Sequence, residues 1–290
     1  MSIQRSVPII LARYSEIGLK STPVRVKFEN RLRDNMMSML AADRVEALVT
    51  KKDARFYVEA DDIDAAVSSV KRVFGISSLS VAEVCSSEME DICSTAANYS
   101  LSRLKAGESF AVKARREGSH NYTSLDAGRE VGSAIFLANE DKGVKVDLTN
   151  PDVTFYLEIR NNKAFIFGSY VRCHGGLPLG TQGKVIAEVR NERDVLSAWL
   201  MMKRGCKAIV KGDKQPLLER YDPEIKYGEE LSPDILGIVK GISLQELESL
   251  SVSDYGIPLF FPTVGMSDRE VSSMLEAIKE ESAPSGRTGQ

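Results

Sequence analysis

Apolar residues recur at two spacings along this chain, every second position and every third or fourth, and the switches between the two mark a succession of strands and helices. VPIILARY (7–14) reads as a strand. Val24, Phe28, Leu32, Met36 and Leu40 step by four along a helix whose first turn can hold Pro23. RVEALVT (44–50) and ARFYVEA (54–60) read as strands separated by Lys51-Lys52-Asp53, which suits a hairpin. Ile63, Val67, Val70 and Phe74 make a second helix stopped by Gly75, and ISSLSVAEV (76–84) is a fourth strand.

The order β-α-β-β-α-β matches the ferredoxin-like motif, which hosts many functions and decides nothing about chemistry. A second block opens with a helix in 88–105, on which Met89, Ile92, Ala96 and Leu104 share a face. In SFAVKARRE, Phe110, Val112 and Ala114 point one way while Lys113 and Arg115 point the other, with Arg116 beyond. A helix then opens near Thr123 or Ser124 and carries Leu125, Val131, Ile135 and Leu137. Strands follow at VKVDL (144–148), VTFYLEIR (153–160) and AFIFGSYV (164–171), joined by Asn150-Pro151-Asp152 and Asn161-Asn162.

CHGGLPLGTQG (173–183) is rich in Gly and Pro and reads as a linker. GKVIAEVRNERDVLSAWLMMKRG (183–205) is a strand, a turn and a helix closed by Gly205. After it come apolar CKAIV, a polar stretch over 211–234, a strand and helix in DILGIVKGISLQELESL, and a strand in GIPLFFPTVGM. Ser267 and Glu270 form a capping box on a last helix. The pattern is a small α/β layer, and the tail SAPSGRTGQ (282–290) is expected to be disordered.

With 290 residues and 43% hydrophobic content the chain can bury two or three domain cores. No apolar run approaches the roughly 20 residues of a membrane span and no secretory leader is legible, so a cytoplasmic protein without a membrane partner is expected. Cys85, Cys93, Cys173 and Cys206 lack Cys-x-x-Cys spacing, and with two histidines they make a poor zinc set, so no metal is expected. The net charge of −3 argues against indiscriminate polyanion binding, but it hides an asymmetry. Residues 1–180 carry a net +1 and residues 181–290 a net −4. A nucleic acid would therefore meet local basic patches of the front part.

The strongest such patch is Lys113, Arg115, Arg116, His120, Asn121, Tyr122 and Arg129. Basic residues at a strand end, followed by an aromatic and a helix N-terminus, suit phosphates and an unpaired base. The alternative is a solvated, salt-bridged surface, because Glu117, Asp126 and Glu130 lie nearby in sequence. Arg13, Lys20, Arg25, Lys27, Arg31 and Arg33 form a second candidate, although helix charges are commonly just solvated. Glu16 holds a loop or caps a helix. Cys173-His174 is a poor nucleophile and base, since neighbours on an extended chain point apart. Cys206 follows a helix C-terminus, which disfavours a thiolate, so a buried inert thiol is expected.

ARYSEIGLKS, FENRL, ARREGSHNYTSLDAGREVGSAI, VDLTNPDV, GGLPLGTQGKV and AWLMMKRG, in this order from residue 8 to about residue 205, resemble the tRNA 4-thiouridine synthase family. The resemblance implies an N-terminal ferredoxin-like domain (1–85), a THUMP RNA-binding domain (86–172), the linker (173–183) and a truncated Rossmann-like ATP-pyrophosphatase, or PP-loop, domain (184–281). The fold class is thus α+β followed by α/β. It also implies a grip on the tRNA acceptor end by the first two domains, with Lys20 and Arg25 beside the THUMP patch, and a homodimer.

The third domain departs from the family. Its PP-loop reads Ser-Gly-Gly-x-Asp-Ser. In register with GKV, the first Ser falls on Arg190, the glycines on Asn191 and Glu192, the acidic residue on Asp194 and the last Ser on Val195, with one residue fewer before AWLMMKRG. Side chains at both glycine positions obstruct close backbone approach to phosphate, and Glu192 sets a negative charge against it. One unit pair at 4 Å is worth ~1 kcal/mol in water and ~4 kcal/mol near a protein surface. Arg190 and Arg193 could still hold phosphate through their side chains. Asp194 reads as a helix cap in preference to a nucleotide ligand. No cysteine follows Cys206 to carry sulfur.

The leading expectation is a tRNA-binding protein with no cofactor and no catalysis of its own. The alternative is an ATP-dependent tRNA sulfurtransferase or adenylyltransferase with an atypical phosphate loop, ATP as cofactor, and a sulfur-donor or catalytic partner protein. An adaptor without an RNA role is a third reading.

Overall fold

The computed structural model describes residues 8–228, 232–250 and 256–282; most of the tail read as disordered lies outside them. Contacts group the chain into two compact units, Met1–Ala12, Lys51–Ile63 and Leu79–Val171 in one, Arg13–Thr50, Asp64–Ser78 and Arg172–Gln290 in the other.

The first unit holds most of a nine-stranded sheet. Its strands are β1 (Ile9–Arg13), β2 (Ala47–Lys52), β3 (Arg55–Ala60), β4 (Ser78–Ser86), β5 (Ser109–Glu117), β6 (Lys145–Val146), β7 (Val153–Arg160) and β8 (Lys163–Phe167), in the order β2-β3-β1-β4-β8-β7-β5-β6, with β9 (Val171–Arg172) beside β4. The strands of both sequence blocks thus form one sheet. The seam is the antiparallel pair β4 and β8, with Val84 opposite Phe165 and Cys85 opposite Ala164.

Alternation sends the two sides of this seam to different cores. On one face Phe110, Phe155, Leu157, Ile159, Ala164 and Ile166 pack under α3 (Met89–Leu101) and α4 (Ser124–Ala138). On the other, Leu11, Tyr57, Ala82, Phe165 and Phe167 form a smaller cluster, in which Tyr57 stacks on Phe165 with ring centroids 5.4 Å apart. Full burial of such side chains contributes about 1.5–3 kcal/mol each.

Local chemistry sets the element ends. The β2–β3 hairpin turns on Asp53 and Ala54, both left-handed at φ 50° and 55°, so Lys51 and Lys52 belong to the strand and not to the connection expected. Thr123 caps α4 and forms a capping box with Asp126. The strand expected over 144–148 shrinks to two residues, because the Asp147 carboxylate accepts the Thr149 and Asn150 amides at 2.8 and 3.0 Å and turns the chain away.

The second unit holds α1 (Thr22–Ala42), most of α2 (Ile63–Val70) and an all-parallel five-stranded sheet, β12-β11-β10-β13-β14. Its strands are β10 (Lys184–Glu188), β11 (Lys207–Lys211), β12 (Lys226–Tyr227), β13 (Ile235–Val239) and β14 (Leu259–Phe260). The helices are α5 (Glu192–Lys203), α6 (Pro216–Glu219), α7 (Leu244–Glu248) and α8 (Asp268–Ser282). Val185, Leu196, Trp199, Val210 and Leu275 anchor the core. Of the five residues expected to line α1, four are buried and Val24 is exposed at the first turn. The expected Ser267–Glu270 capping box opens α8, with the Ser267 amide 2.8 Å from Glu270 Oε2.

Residues 173–183 are pinned in place. Leu177 and Leu179 are buried, and the amides of Leu177, Gly180 and Gln182 bond the carbonyls of Lys203 and Gly205 at 3.0, 2.9 and 3.1 Å. Gly176 has φ +80°, and a Cβ there would lie 2.2 Å from the Lys203 carbonyl oxygen, so only glycine passes. His174 enters an aromatic box of Phe74, Trp199 and Tyr221, with Nε2 2.9 Å from the Tyr221 hydroxyl and Nδ1 3.4 Å from Glu281. Both ring nitrogens therefore have partners other than Cys173.

Burial, followed by the charges of Lys203 and Lys71, pushes His174 down to about 4, against the nearby Glu281 carboxylate. An unfolded histidine takes up a proton below about 6.5. The folded chain resists until about 4, so this contribution to stability is complete above pH ~6.5 and lost as pH falls toward 4. The loss should reach roughly 3 kcal/mol. Urea unfolding followed by Trp199 fluorescence from pH 7 to 4.5 should show it, and His174→Phe should flatten that part of the profile.

Candidate phosphate-loop turn and nucleic-acid interface

Strand order reverses at β10, with β11 on one side and β13 on the other, and parallel sheets bind ligands outside the strand C-termini at such a point. Here that crevice contains the protein's own polar groups. Asn191, extended at φ −147°, is the N-cap of α5, and its Oδ1 accepts the Asp194 amide at 3.0 Å. Asp194 Oδ2 accepts the Arg190 and Asn191 amides at 2.9 and 3.2 Å, and Oδ1 accepts the Gly241 amide at 2.8 Å. One carboxylate, 7% exposed, therefore takes three backbone N–H groups at a helix N-terminus, where a bound anion would otherwise sit.

Gly241 closes the turn from the β13 side. A Cβ on it would lie 2.4 Å from the Arg193 carbonyl carbon and from the Asp194 amide nitrogen, so backbone rests directly on backbone. Sequence reasoning did not single out Gly241; the glycine just past a strand, in KGIS, was its only signal.

Two expectations about this turn are corrected. Arg193 is not available to phosphate: its guanidinium is buried and bonds the Thr263 and Met266 carbonyls at 2.8 and 2.9 Å and Asp268 at 2.7 Å. Glu192 does not aim its charge into the turn but pairs with Lys279 at 3.1 Å. Arg190 remains outward, 3.6 Å from Glu188, which also pairs with Lys240 at 2.7 Å. The cap reading of Asp194 holds, with Asn191 as the N-cap and Asp194 as its capping-box partner. Cys206 is buried, and burial pushes its thiol up, which suits an inert group.

The basic residues of β5 divide between the two faces of the sheet. Lys113 and Arg115 stand opposite Tyr156 and Glu158 of β7, on the face of the small aromatic cluster. Both are exposed, and their side chains have no partner among the described residues. Glu158 is already engaged by Arg55 and Arg160. Arg116 points to the helix face, bonding the Gly118 carbonyl at 2.8 Å and approaching His120 Nδ1 at 3.4 Å.

His120 Nε2 lies 2.6 Å from the Asn161 carbonyl, and its ring is 5.3 Å from that of Tyr122. The Tyr122 hydroxyl donates to Ser87 at 2.6 Å, so Tyr122 fastens the 118–123 loop to the domain. Asn121 is exposed on that loop and Arg129 is exposed on α4. In the other unit, Lys20 is exposed after the short helix Glu16–Leu19, Arg25 is half-buried in α1, and Lys27, Arg31 and Arg33 are exposed. Arg13 is buried, and Glu16 pairs with Arg204 at 3.6 Å. No helix among the described residues is long and apolar enough to cross a membrane.

Residues 9–80 match the model of the ThiI ferredoxin-like domain and residues 86–168 that of the THUMP domain. The chain is 38% identical over 201 residues to a probable tRNA sulfurtransferase of Methanosarcina acetivorans, an alignment covering 68% of this chain and 48% of that protein. It is 37% identical over 208 residues to one of Methanobrevibacter smithii, covering 70% and 52%. The chain thus spans about half the length of these curated relatives. The crystal structure of PH1313 from Pyrococcus horikoshii superimposes with a TM-score of 0.78 at 27% identity, covering 93% of this chain and 99% of that one. A 4-thiouridine synthetase–RNA complex with bound ATP shares the fold, with a TM-score of 0.76 at 20% identity over 95% and 86% of the two chains.

Because Asp194 satisfies three amides, Asp194→Ala should lower the stability of this unit by about 2–4 kcal/mol, against about 1 kcal/mol for Asn191→Ala. Urea denaturation read by Trp199, the single tryptophan, distinguishes the two.

Proposed function

Since the chain belongs, through its ThiI ferredoxin-like and THUMP domains, to the tRNA sulfurtransferase family, we propose that it binds the acceptor end of tRNA and does not use ATP on its own. The observation that carries the first half is the pair Lys113 and Arg115, exposed side by side on β5 within the THUMP match and without partners among the described residues. Two cations two positions apart on a strand lie about 7 Å from each other on one face and can meet the phosphates of a single backbone track. Arg116 and His120, at the end of the same strand, extend that grip toward the terminal nucleotides. Lys20 and Arg25 form a further contact on the ferredoxin-like domain.

The second half rests on the Asp194 carboxylate. A phosphate entering this turn would have to displace an intramolecular anion holding three backbone donors, and it would find Gly241 already against the helix end. The third domain then serves as a scaffold for the RNA-binding part.

A second reading is favoured by the outward guanidinium of Arg190 and by the names of the curated relatives: an ATP-dependent tRNA sulfurtransferase whose loop opens with tRNA and a partner protein present.

Changing Lys113 and Arg115 together to Glu should weaken tRNA binding at least tenfold in filter-binding or gel-shift assays. The slope of log affinity against log salt should fall by about 2. Unaltered affinity at moderate salt would remove the patch from the interface. Calorimetric titration of ATP, with and without tRNA, should give no heat of binding. Saturable micromolar binding that vanishes on Arg190→Glu would establish the second reading instead.

A further inference from the structure

The outer edge of β5 is open along half its length. The β5–β6 pairing ends at Phe110 opposite Val146, and the last bond of that edge runs from the Asp147 amide to the Phe110 carbonyl at 3.0 Å. Glu108 and Phe110 both present their carbonyls to β6, so the even-numbered residues face this edge. The Asp147 turn then carries the chain away. Among the described residues, the backbone groups of Val112 and Ala114 have no partner on that side, although β7 pairs with β5 continuously from Phe110 to Glu117 on the other.

Beside the open edge runs a groove of about 1090 Å³ between β5 and α4. Its floor is low because α4 presents Gly128 and Gly132 there: a Cβ on either would make only ordinary contact with Ala114 and Val112, at 3.8 and 4.0 Å. Its walls are apolar and exposed, with Leu125 at 63%, Val146 at 55% and Leu148 at 76%. Apolar surface of this kind marks a polypeptide site more than a nucleic-acid track. The charged rim is cationic: Arg129 lines the groove, Arg116 stands at the far end of the same strand face, and Lys145 sits where β6 begins. Of the acidic groups nearby, Glu117 pairs with Arg160 and Glu130 acts on Cys93, while Asp126 and Asp147, still charged, are turned one into the α4 cap and the other into its own turn.

We propose that this edge and groove dock an extended segment of a partner protein, alternating apolar with acidic residues, as an additional strand beside β5. Backbone bonds to Val112 and Ala114 supply register, alternate apolar side chains enter the groove over Gly128 and Gly132, and the acidic residues meet Arg116, Arg129 and Lys145. The site is independent of Lys113 and Arg115, which project from the opposite face of the sheet.

The test uses the full chain and a fluorescein-labelled seven-residue peptide alternating glutamate with valine, followed by fluorescence anisotropy. Saturable binding is expected. It should weaken at least tenfold in Gly132→Leu, which fills the groove from a helical position without backbone conflict, and a peptide alternating lysine with valine should fail to bind. Hydrogen exchange should show the Val112 and Ala114 amides fast in the free chain and slowed by the glutamate–valine peptide.

Three results would overturn the proposal. The first is no saturation by the glutamate–valine peptide, or equal affinity for Gly132→Leu. The second is slow exchange of both amides in the free chain, which would mean that a second copy or the chain's own ends already cover the edge. The third is loss of tRNA binding in Gly132→Leu, which would assign the groove to RNA. Retained tRNA binding by Gly132→Leu, with loss in the Lys113 and Arg115 variant, separates failure of one site from failure of the other.

Discussion

The arrangement of the α/β unit depends on one buried carboxylate. Asp194, in the first turn of α5, ties the turn after β10 and the segment after β13 into a single node: its two oxygens accept the amides of Arg190, Asn191 and Gly241, and its own amide donates to Asn191 Oδ1. A helix N-terminus carries a partial positive charge and unpaired donors, and something anionic must answer them. In a nucleotide-binding sheet a phosphate does so. Here the side chain three residues past the cap takes that place, and Gly241, with no room for a side chain, packs against it. Arg193 extends the same logic, since its buried guanidinium holds the 263–268 segment at the start of α8.

A different constraint governs the first unit: a strand has two faces and two edges, and β5 uses all four differently. One face joins the core under α3 and α4. The other exposes Lys113 and Arg115 beside the aromatic cluster. One edge is paired along its length with β7, whereas the other is left by β6 after two residues. A single segment can in this way serve the domain core, the proposed RNA contact and the proposed polypeptide contact, the last two sharing Arg116 at the strand end. The loop that follows β5 is held to the domain by His120 and Tyr122, whose hydrogen bonds reach Asn161 and Ser87.

Much of this was legible in the chain. Period-two and period-four patterns marked the strands and helices of the ferredoxin-like and THUMP blocks, because alternation reports which side of an element is buried. The capping box at Ser267 was read from local spacing, since cap and partner lie within one turn, whereas those at Thr123 and Asn191 came from the structure. Four of the five apolar positions on α1 are buried. The division of Lys113 and Arg115 from the core face was likewise visible as simple alternation.

What the sequence could not disclose depends on partners distant along the chain. That β4 pairs with β8, merging two blocks into one sheet, is a choice among edges that local pattern leaves equivalent. Arg193 reads as a free cation until the 263–268 carbonyls are seen to surround it, and Glu192 reads as facing the turn until Lys279 is seen to draw it outward. The Gly- and Pro-rich stretch 173–183 has the composition of a loose connection, yet carbonyls of Lys203 and Gly205 fix it. The chain by itself determined most strands and helices of its first two blocks and the cap at Ser267, because these follow from residues within a few positions of one another. Only the tertiary structure decided which charges are spent internally and which remain for a ligand, because a charge is neutralised by whatever lies within a few ångströms in space, and that neighbour is tens of residues away in sequence.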